Sequence, residues 1–178
     1  MAKQAGVDPN QAKVIQRRPA SIQELAWRPQ PLGASAQTEP AKEVVFSFYN
    51  GELFQIVINY DRYETEGLTT SDFIEAISAS YGTAVTPTAP PKPVLESYGD
   101  RDEILAQWQD ADYRFELIRS SYGPSFRLMG VLKRLETAVQ ASILAAKRLD
   151  DKEAPQRAAE RVANELEQSE SNRTRPGW

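Results

Sequence analysis

The sequence predicts an α+β fold: a mainly antiparallel sheet of about five strands packs against one helix, and a long C-terminal helix follows. Three observations carry this prediction: a hairpin signal at Asn50-Gly51, a helix with recognisable ends at residues 69–82, and a change to helical periodicity near Lys133. Apolar residues concentrate between positions 44 and 149, which predicts a proline-rich polar arm (1–42), an α+β domain (43–150) and a charged helical or disordered tail (151–178).

The arm contains one segment that differs from its polar surroundings. Residues 22–28 read IQELAWR, with Leu25 and Trp27 on one side of an extended chain. This pattern predicts either an edge strand, with Trp27 docked on the domain or on a partner, or a disordered tether. We count Trp27 among the candidate binding residues.

The hairpin signal consists of two β-branched and aromatic runs on either side of Asn50-Gly51. A two-residue loop would place Phe46 opposite Gln55. A three-residue loop, beginning one residue earlier, places Phe46 opposite Phe54 and gathers the larger apolar side chains on one face. Because register decides which face is buried, the sequence favours the three-residue loop.

The first helix has a signal at each end. Thr69 is the predicted N-cap, and Asp72 lies three residues later, in the position of a capping box. Phe73 and Ile77 fall on one face, and Gly82 follows where a C-cap glycine is expected.

Residues 102–132 contain three alternating runs separated by turn residues, which predicts a three-stranded meander. Trp108 ends the first run and is expected to cap the core. Arg114, Glu116 and Arg119 in the second run are expected on the solvated side of the strand.

The C-terminal helix is predicted from a narrow apolar seam that begins just after Lys133. Pro155 is expected to kink or end this helix. Beyond it only Ala159, Val162 and Leu166 are available to bury, so the last part is predicted to be a flexible tail or a segment that pairs with another chain. The seam consists of Leu135, Val139, Ser142, Ala146 and Leu149.

The tripeptide Ser-Tyr-Gly occurs three times, with its tyrosines at Tyr81, Tyr98 and Tyr122. The unequal spacing, 17 and 24 residues, excludes an internal repeat. Each copy lies at a predicted boundary, where glycine permits positive φ and tyrosine can pack at a sheet edge. The alternative is that the three tyrosines converge on one binding rim, so they join Trp27 and Trp108 as candidate binding residues.

The composition excludes several chemistries. The chain has no cysteine and no histidine, which removes thiol catalysis, Ser-His-Asp triads and the usual zinc sites. Carboxylates cluster at predicted turns, where an Asp-x-Asp pair at 100–102 or 110–112 offers oxygen ligands for calcium but lacks the rest of an EF-hand loop. We therefore predict no catalytic residue, no metal and no cofactor, and a protein that is not an enzyme.

The charge distribution bears on partners and compartment. Residues 43–130 carry a net charge of −8, from 6 basic and 14 acidic side chains, which argues against nucleic-acid binding. No apolar run is long enough for a transmembrane helix, and no signal-peptide core follows Met1. The expected location is the cytoplasm if Met1 is the true start, and the periplasm if a signal peptide was removed.

The runs FSFYNGELFQIVINYDRYETEGLTTSDFIEAISASYG and RFELIRSSYGPSF resemble small bacterial α+β proteins of uncharacterised function, over about residues 20–150. The arrangement is also similar to small envelope lipoproteins of the outer-membrane assembly machinery, although this chain lacks their lipidated cysteine. The resemblance implies a bacterial protein and an envelope location, and it implies no activity.

These observations together predict a non-enzymatic protein-binding or scaffolding module. The expected contacts are a sheet edge, the Trp27 segment or the C-terminal helix, through which the chain meets a protein partner or a second copy of itself. The alternative is a small hydrolase or carbohydrate-binding domain, in which Tyr81, Tyr98 or Tyr122 shares a pocket with Asp100 or Asp102.

Overall fold

The computed structural model describes residues 11–28, 41–63, 65–85, 103–119 and 126–174, with side chains as far as residue 170. In this part of the chain the fold is α+β, with one antiparallel sheet of seven strands in the order β1-β2-β3-β4-β7-β6-β5 and two helices. The elements are β1 (Lys13–Gln16), β2 (Ile22–Trp27), β3 (Ala41–Tyr49), β4 (Glu52–Tyr60), α1 (Thr70–Tyr81), β5 (Glu103–Gln109), β6 (Tyr113–Arg119), β7 (Phe126–Leu132) and α2 (Lys133–Thr174).

The two helices pack on opposite faces of the sheet. Phe73 and Ile77 of α1 pack with Leu117 of β6 in one apolar cluster. The neighbouring residue Glu116 points to the other face, because side chains alternate along a strand. On that second face Val139 of α2 packs against Ile22 of β2, so both sides of the sheet are covered.

The prediction of about five strands was wrong, because β1 and β2 extend the sheet into the predicted arm. All six residues of β2 pair with β3, from Ile22 opposite Tyr49 to Trp27 opposite Val44. In β2 the two buried apolar residues, Ile22 and Leu25, are three positions apart and therefore lie on opposite faces. The edge strand that the sequence offered as one alternative over residues 22–28 is present as β2, but it lies inside the sheet, between β1 and β3.

The hairpin uses a two-residue turn, so the predicted three-residue loop was wrong. Asn50 and Gly51 both have positive φ, at 49° and 84°, as a type I′ turn requires. A bulge after Ser47 then shifts the register, so that Phe46 lies opposite Ile56 instead of the predicted Phe54. Phe54 packs with the α2 cluster.

The predicted ends of α1 are confirmed. The Thr69 hydroxyl accepts a hydrogen bond from the backbone N–H of Asp72, whose carboxylate accepts one from the backbone N–H of Thr69. Gly82 follows the helix with φ of 85°, a conformation that favours glycine, and its N–H donates to the carbonyl of Ser78.

The C-terminal helix α2 begins at Lys133 as predicted and continues through Pro155 to Thr174, so the expectation that Pro155 could end it was wrong. Val139 and Ser142 of the predicted seam are buried, at 0% and 5% exposure. The Ser142 hydroxyl accepts a hydrogen bond of 2.7 Å from Gln16, which ties α2 to β1.

Candidate functional site

Trp27 and Tyr81, two of the predicted binding residues, lie far apart on the sheet. Trp27 is half-buried at the end of β2, whereas the ring of Tyr81 stacks on Phe115 of β6 with centroids 4.4 Å apart. Four strand spacings separate β2 from β6, which is about 19 Å at 4.8 Å per strand. These two aromatic side chains therefore cannot contact one small ligand together.

Trp108 is part of the core, as its position at the end of a predicted strand indicated. Its side chain is 1% exposed, and its indole N–H donates a 3.1 Å hydrogen bond to the Ser78 hydroxyl of α1. The indole thus supports the packing of α1 on β5 and offers no surface to a partner. Tyr98 and Tyr122, with Asp100 and Asp102, lie outside the described residues.

A cavity of about 400 Å³ lies beside the loop between β4 and α1. Its lining includes Arg62, Glu66 and Arg119, and the ring of Phe126. Among the described residues, Glu66 is the one carboxylate that lines it, and Tyr81 does not line it. The described lining therefore offers no pair of carboxylates for acid–base hydrolysis.

In the turn between β5 and β6, the carboxylate of Asp110 has a structural role. The Asp110 side chain accepts hydrogen bonds from the backbone N–H groups of Asp112 and Tyr113, at 2.8 and 2.7 Å. These bonds hold the pKa of Asp110 below its ordinary value. Among the described residues no group of three or more acidic side chains is placed to hold a metal ion.

A cluster of charged side chains lies between the sheet and α2, with Glu116 buried and Arg114 and Glu136 about one fifth exposed. Arg114 of β6 donates two parallel hydrogen bonds, of 3.0 and 2.7 Å, to the carboxylate of Glu136 in α2. Its Nε lies 3.0 Å from Oε1 of Glu116, at an angle that makes an ion pair without a hydrogen bond. One guanidinium therefore serves two carboxylates, and we call these three residues the Arg114 cluster.

Burial dominates the electrostatics of this cluster. Glu116 is 4% exposed, and its Oε2 has no hydrogen-bond partner. Burial raises the pKa of Glu116 above its ordinary value, although the nearby charge of Arg114 opposes the rise. The hydrogen bonds to Glu136 raise the pKa of Arg114. We interpret the cluster as a structural link that fixes α2 on the sheet.

Arg114 and Glu116 were predicted to lie on a solvated strand face, and that prediction was wrong. The alternation within β6 was interpreted correctly, but the face it exposes is covered by α2. The helix arrives there because it follows β7 without a linker. Glu136, three residues into α2, was the signal that could have indicated a partner for Arg114.

The second half of α2 is the largest exposed element in the described part of the chain. Glu153 pairs at 2.6 Å with Arg18, which lies in the loop between β1 and β2. Every side chain from 154 to 170 is exposed, including Val162 at 53% and Leu166 at 59%. We call residues 154–174 the projecting half; at 1.5 Å per residue it is about 30 Å long.

No protein-family model matches the chain, and no curated protein and no solved structure is significantly similar to it. The likeness to small bacterial proteins and to envelope modules therefore stays a prediction. Neither α1 nor the described length of α2 is an apolar helix able to cross a membrane.

Proposed function

We propose that this chain is a non-enzymatic protein-binding or scaffolding module, and that α2 is the element through which it binds. The observation that carries the proposal is the continuation of α2 for some 20 residues beyond Glu153, with every side chain from 154 to 170 exposed, including Val162 and Leu166. Isolated helices of this length are marginal in water, and they are stabilised when an apolar stripe is covered by another chain.

The structure of α2 suits the presentation of a binding surface. Its first half is held by the Arg114 cluster, by Ser142 and by buried Val139, and so supplies the helical nucleus. The projecting half can then extend from this nucleus without the cost of initiating a new helix. A preformed helix loses less conformational entropy on binding than a disordered tail does.

The other predicted contacts are less well supported. Trp27 is half-buried and paired within the sheet. The outer edge of β5 is partly occupied, because Val85 and Gln107 exchange two backbone hydrogen bonds. The hydrolase or carbohydrate-binding alternative has only Tyr81 among its described groups, and Tyr81 lies outside the cavity.

Backbone NMR of the full chain tests the proposal. Cα chemical shifts report whether residues 156–170 are helical in the free protein. We expect helical shifts that decrease gradually toward the C-terminus, because the exposed end of a helix frays. Random-coil shifts from residue 156 onward would mean that the projecting half presents no helical surface, and the proposed function would be abandoned.

A further inference from the structure

The exposed apolar residues of α2 are not confined to its last turns. Leu144, in the half that lies on the sheet, is 58% exposed and falls on the same side of the helix as Val162 and Leu166. We call this side the outer face. Its residues are Leu144, Arg148, Asp151, Pro155, Ala159, Val162 and Leu166, at spacings of four, three, four, four, three and four.

The outer face is accessible along its whole length. At 100° per residue, Leu144 lies more than a third of a turn from the buried side chains of Val139 and Ser142, which face the sheet. The stripe repeats every 11 residues, from Leu144 to Pro155 to Leu166, and this period gives two paired helices a right-handed supercoil. A second helix can therefore lie along the outer face without meeting the sheet.

The charges beside the outer face differ between its two ends. Basic side chains accompany the Leu144 end, at Lys147, Arg148 and Lys152, interrupted by Asp151. Acidic side chains accompany the Leu166 end, at Glu165 and Glu170. Within the described residues neither Lys147 nor Glu165 has an ion-pair partner in its own chain.

We propose that the outer face binds a second copy of this chain, in antiparallel orientation, about a two-fold axis at Pro155. This arrangement places Leu144 against the partner's Leu166 and Lys147 beside the partner's Glu165, and the symmetry provides each contact twice. A parallel pair would instead bring acidic ends together and basic ends together, which is unfavourable. The inference rests on the proposed function and names its partner.

The size of this contact sets the expected affinity. From Leu144 to Leu166 the outer face is about 33 Å long at 1.5 Å per residue. A single pair of helices of this length lies near the lower end of specific interfaces, at about 1,200 Å² or less in total. We therefore expect a reversible dimer with a dissociation constant of about 10 μM, within the range of weak complexes.

Cysteine cross-linking tests the orientation, because the natural chain has no cysteine. In the antiparallel pair residue 155 is closest to its own copy, so Pro155→Cys should form a disulfide-linked dimer under mild oxidation. The two copies of residue 162 would be about 21 Å apart along the axis, so the matched variant Val162→Cys should remain monomeric on a non-reducing gel. Efficient cross-linking of Val162→Cys with none of Pro155→Cys would overturn the antiparallel arrangement.

Sedimentation equilibrium of full-length variants tests the contacts. Leu166→Asp should weaken the dimer by roughly a hundredfold, because two leucine contacts are lost and an acidic charge is added to the stripe. Asn164→Asp adds the same charge on the opposite side of the helix and should change the dissociation constant less than about threefold. Equal effects of the two substitutions would overturn the proposal.

A charge exchange makes the test specific to this register. Lys147→Glu or Glu165→Lys alone should weaken the dimer by about tenfold, whereas the double variant should recover most of the affinity. If the single changes have no effect, or if the double variant is weaker than either, the proposed pairing is wrong.

The outcomes also separate this inference from the proposed function. If the chain stays monomeric up to about 500 μM, well above the expected dissociation constant, while residues 156–170 are helical by NMR, self-pairing is refuted and the presented helix stands. If those residues are random coil, both proposals fail.

Discussion

Removal of Arg114 should destabilise the fold in a strongly pH-dependent way. In Arg114→Met the aliphatic length is kept, but the carboxylates of Glu116 and Glu136 lose the guanidinium that they share. The side chain of Arg114 is 19% exposed, that of Glu116 is 5% exposed and that of Glu136 is 20% exposed. Water can therefore replace the lost guanidinium as a partner of the carboxylates only partly. Loss of one partner from a buried ion pair typically costs 3–5 kcal/mol. Because two of the three groups are about one fifth exposed, we expect about 3 kcal/mol at pH 7.5.

The sign of the pH dependence follows from Glu116. The folded-state pKa of Glu116 lies above the unfolded value of about 4.3. Glu116 therefore stabilises the folded state fully below about pH 4.3, and this contribution is lost as the pH rises through the folded pKa. The charge of Arg114 lowers this pKa, and its removal therefore raises it further. The cost of Arg114→Met should be small near pH 4.5, where Glu116 can be protonated, and should grow toward pH 7.5.

Urea denaturation followed by circular dichroism, at several pH values from 4.5 to 8, measures this cost as the difference in free energy of unfolding. Arg119→Met is the matched control, because Arg119 pairs with Glu103 at the surface with 45% and 59% of the side chains exposed. A surface pair of this kind contributes at most about 1 kcal/mol. Adding Glu116→Gln to Arg114→Met should restore part of the loss at pH 7.5.

Two results would refute this reasoning. The first is a destabilisation by Arg114→Met that is the same at pH 4.5 and pH 7.5, which would mean that lost packing outweighs charge. The second is a loss at pH 7.5 no larger than that of Arg119→Met, which would mean that water reaches the Arg114 cluster.

Three further substitutions test the fold by the same denaturation assay. Thr69→Ala removes the N-cap of α1 and should cost about 1 kcal/mol; an unchanged midpoint would contradict the capping role. Gly130→Ala places a Cβ 2.7 Å from the ring of Phe115 and should cost about 1–3 kcal/mol, with smaller loss in a Phe115→Leu background. Trp108→Phe removes the hydrogen bond to Ser78 and leaves a void, so we expect about 2–3 kcal/mol; a loss below 0.5 kcal/mol would show that the indole is not tightly packed.

Local signals explain why α1 and the start of α2 were predicted correctly. Thr69, Asp72 and Gly82 act within a few residues of where they stand, so their effect is visible in the sequence. The hairpin turn at Asn50-Gly51 was found for the same reason. Its register was not, because the bulge after Ser47 depends on packing between strands.

The candidate binding surface was only partly predictable. The exposed residues Val162 and Leu166 were recognised as a segment that could pair with another chain, whereas Leu144 was not. The sequence alone cannot show that the sheet lies on the opposite side of α2 and leaves Leu144 exposed. Likewise, Trp27 and Tyr81 are both aromatic residues at element ends, and only the strand order separates them.

The sequence by itself determined the α+β class, the absence of histidine and cysteine chemistry, the ends of α1, the meander and the position where α2 begins. These features depend on composition or on interactions between residues close together in the chain. The tertiary structure decided that β1 joins the sheet and makes β2 an internal strand, that Glu116 is buried and that the outer face of α2 is exposed. Each of these depends on which surfaces meet when distant segments pack, because burial is a property of the assembled layers rather than of any one segment.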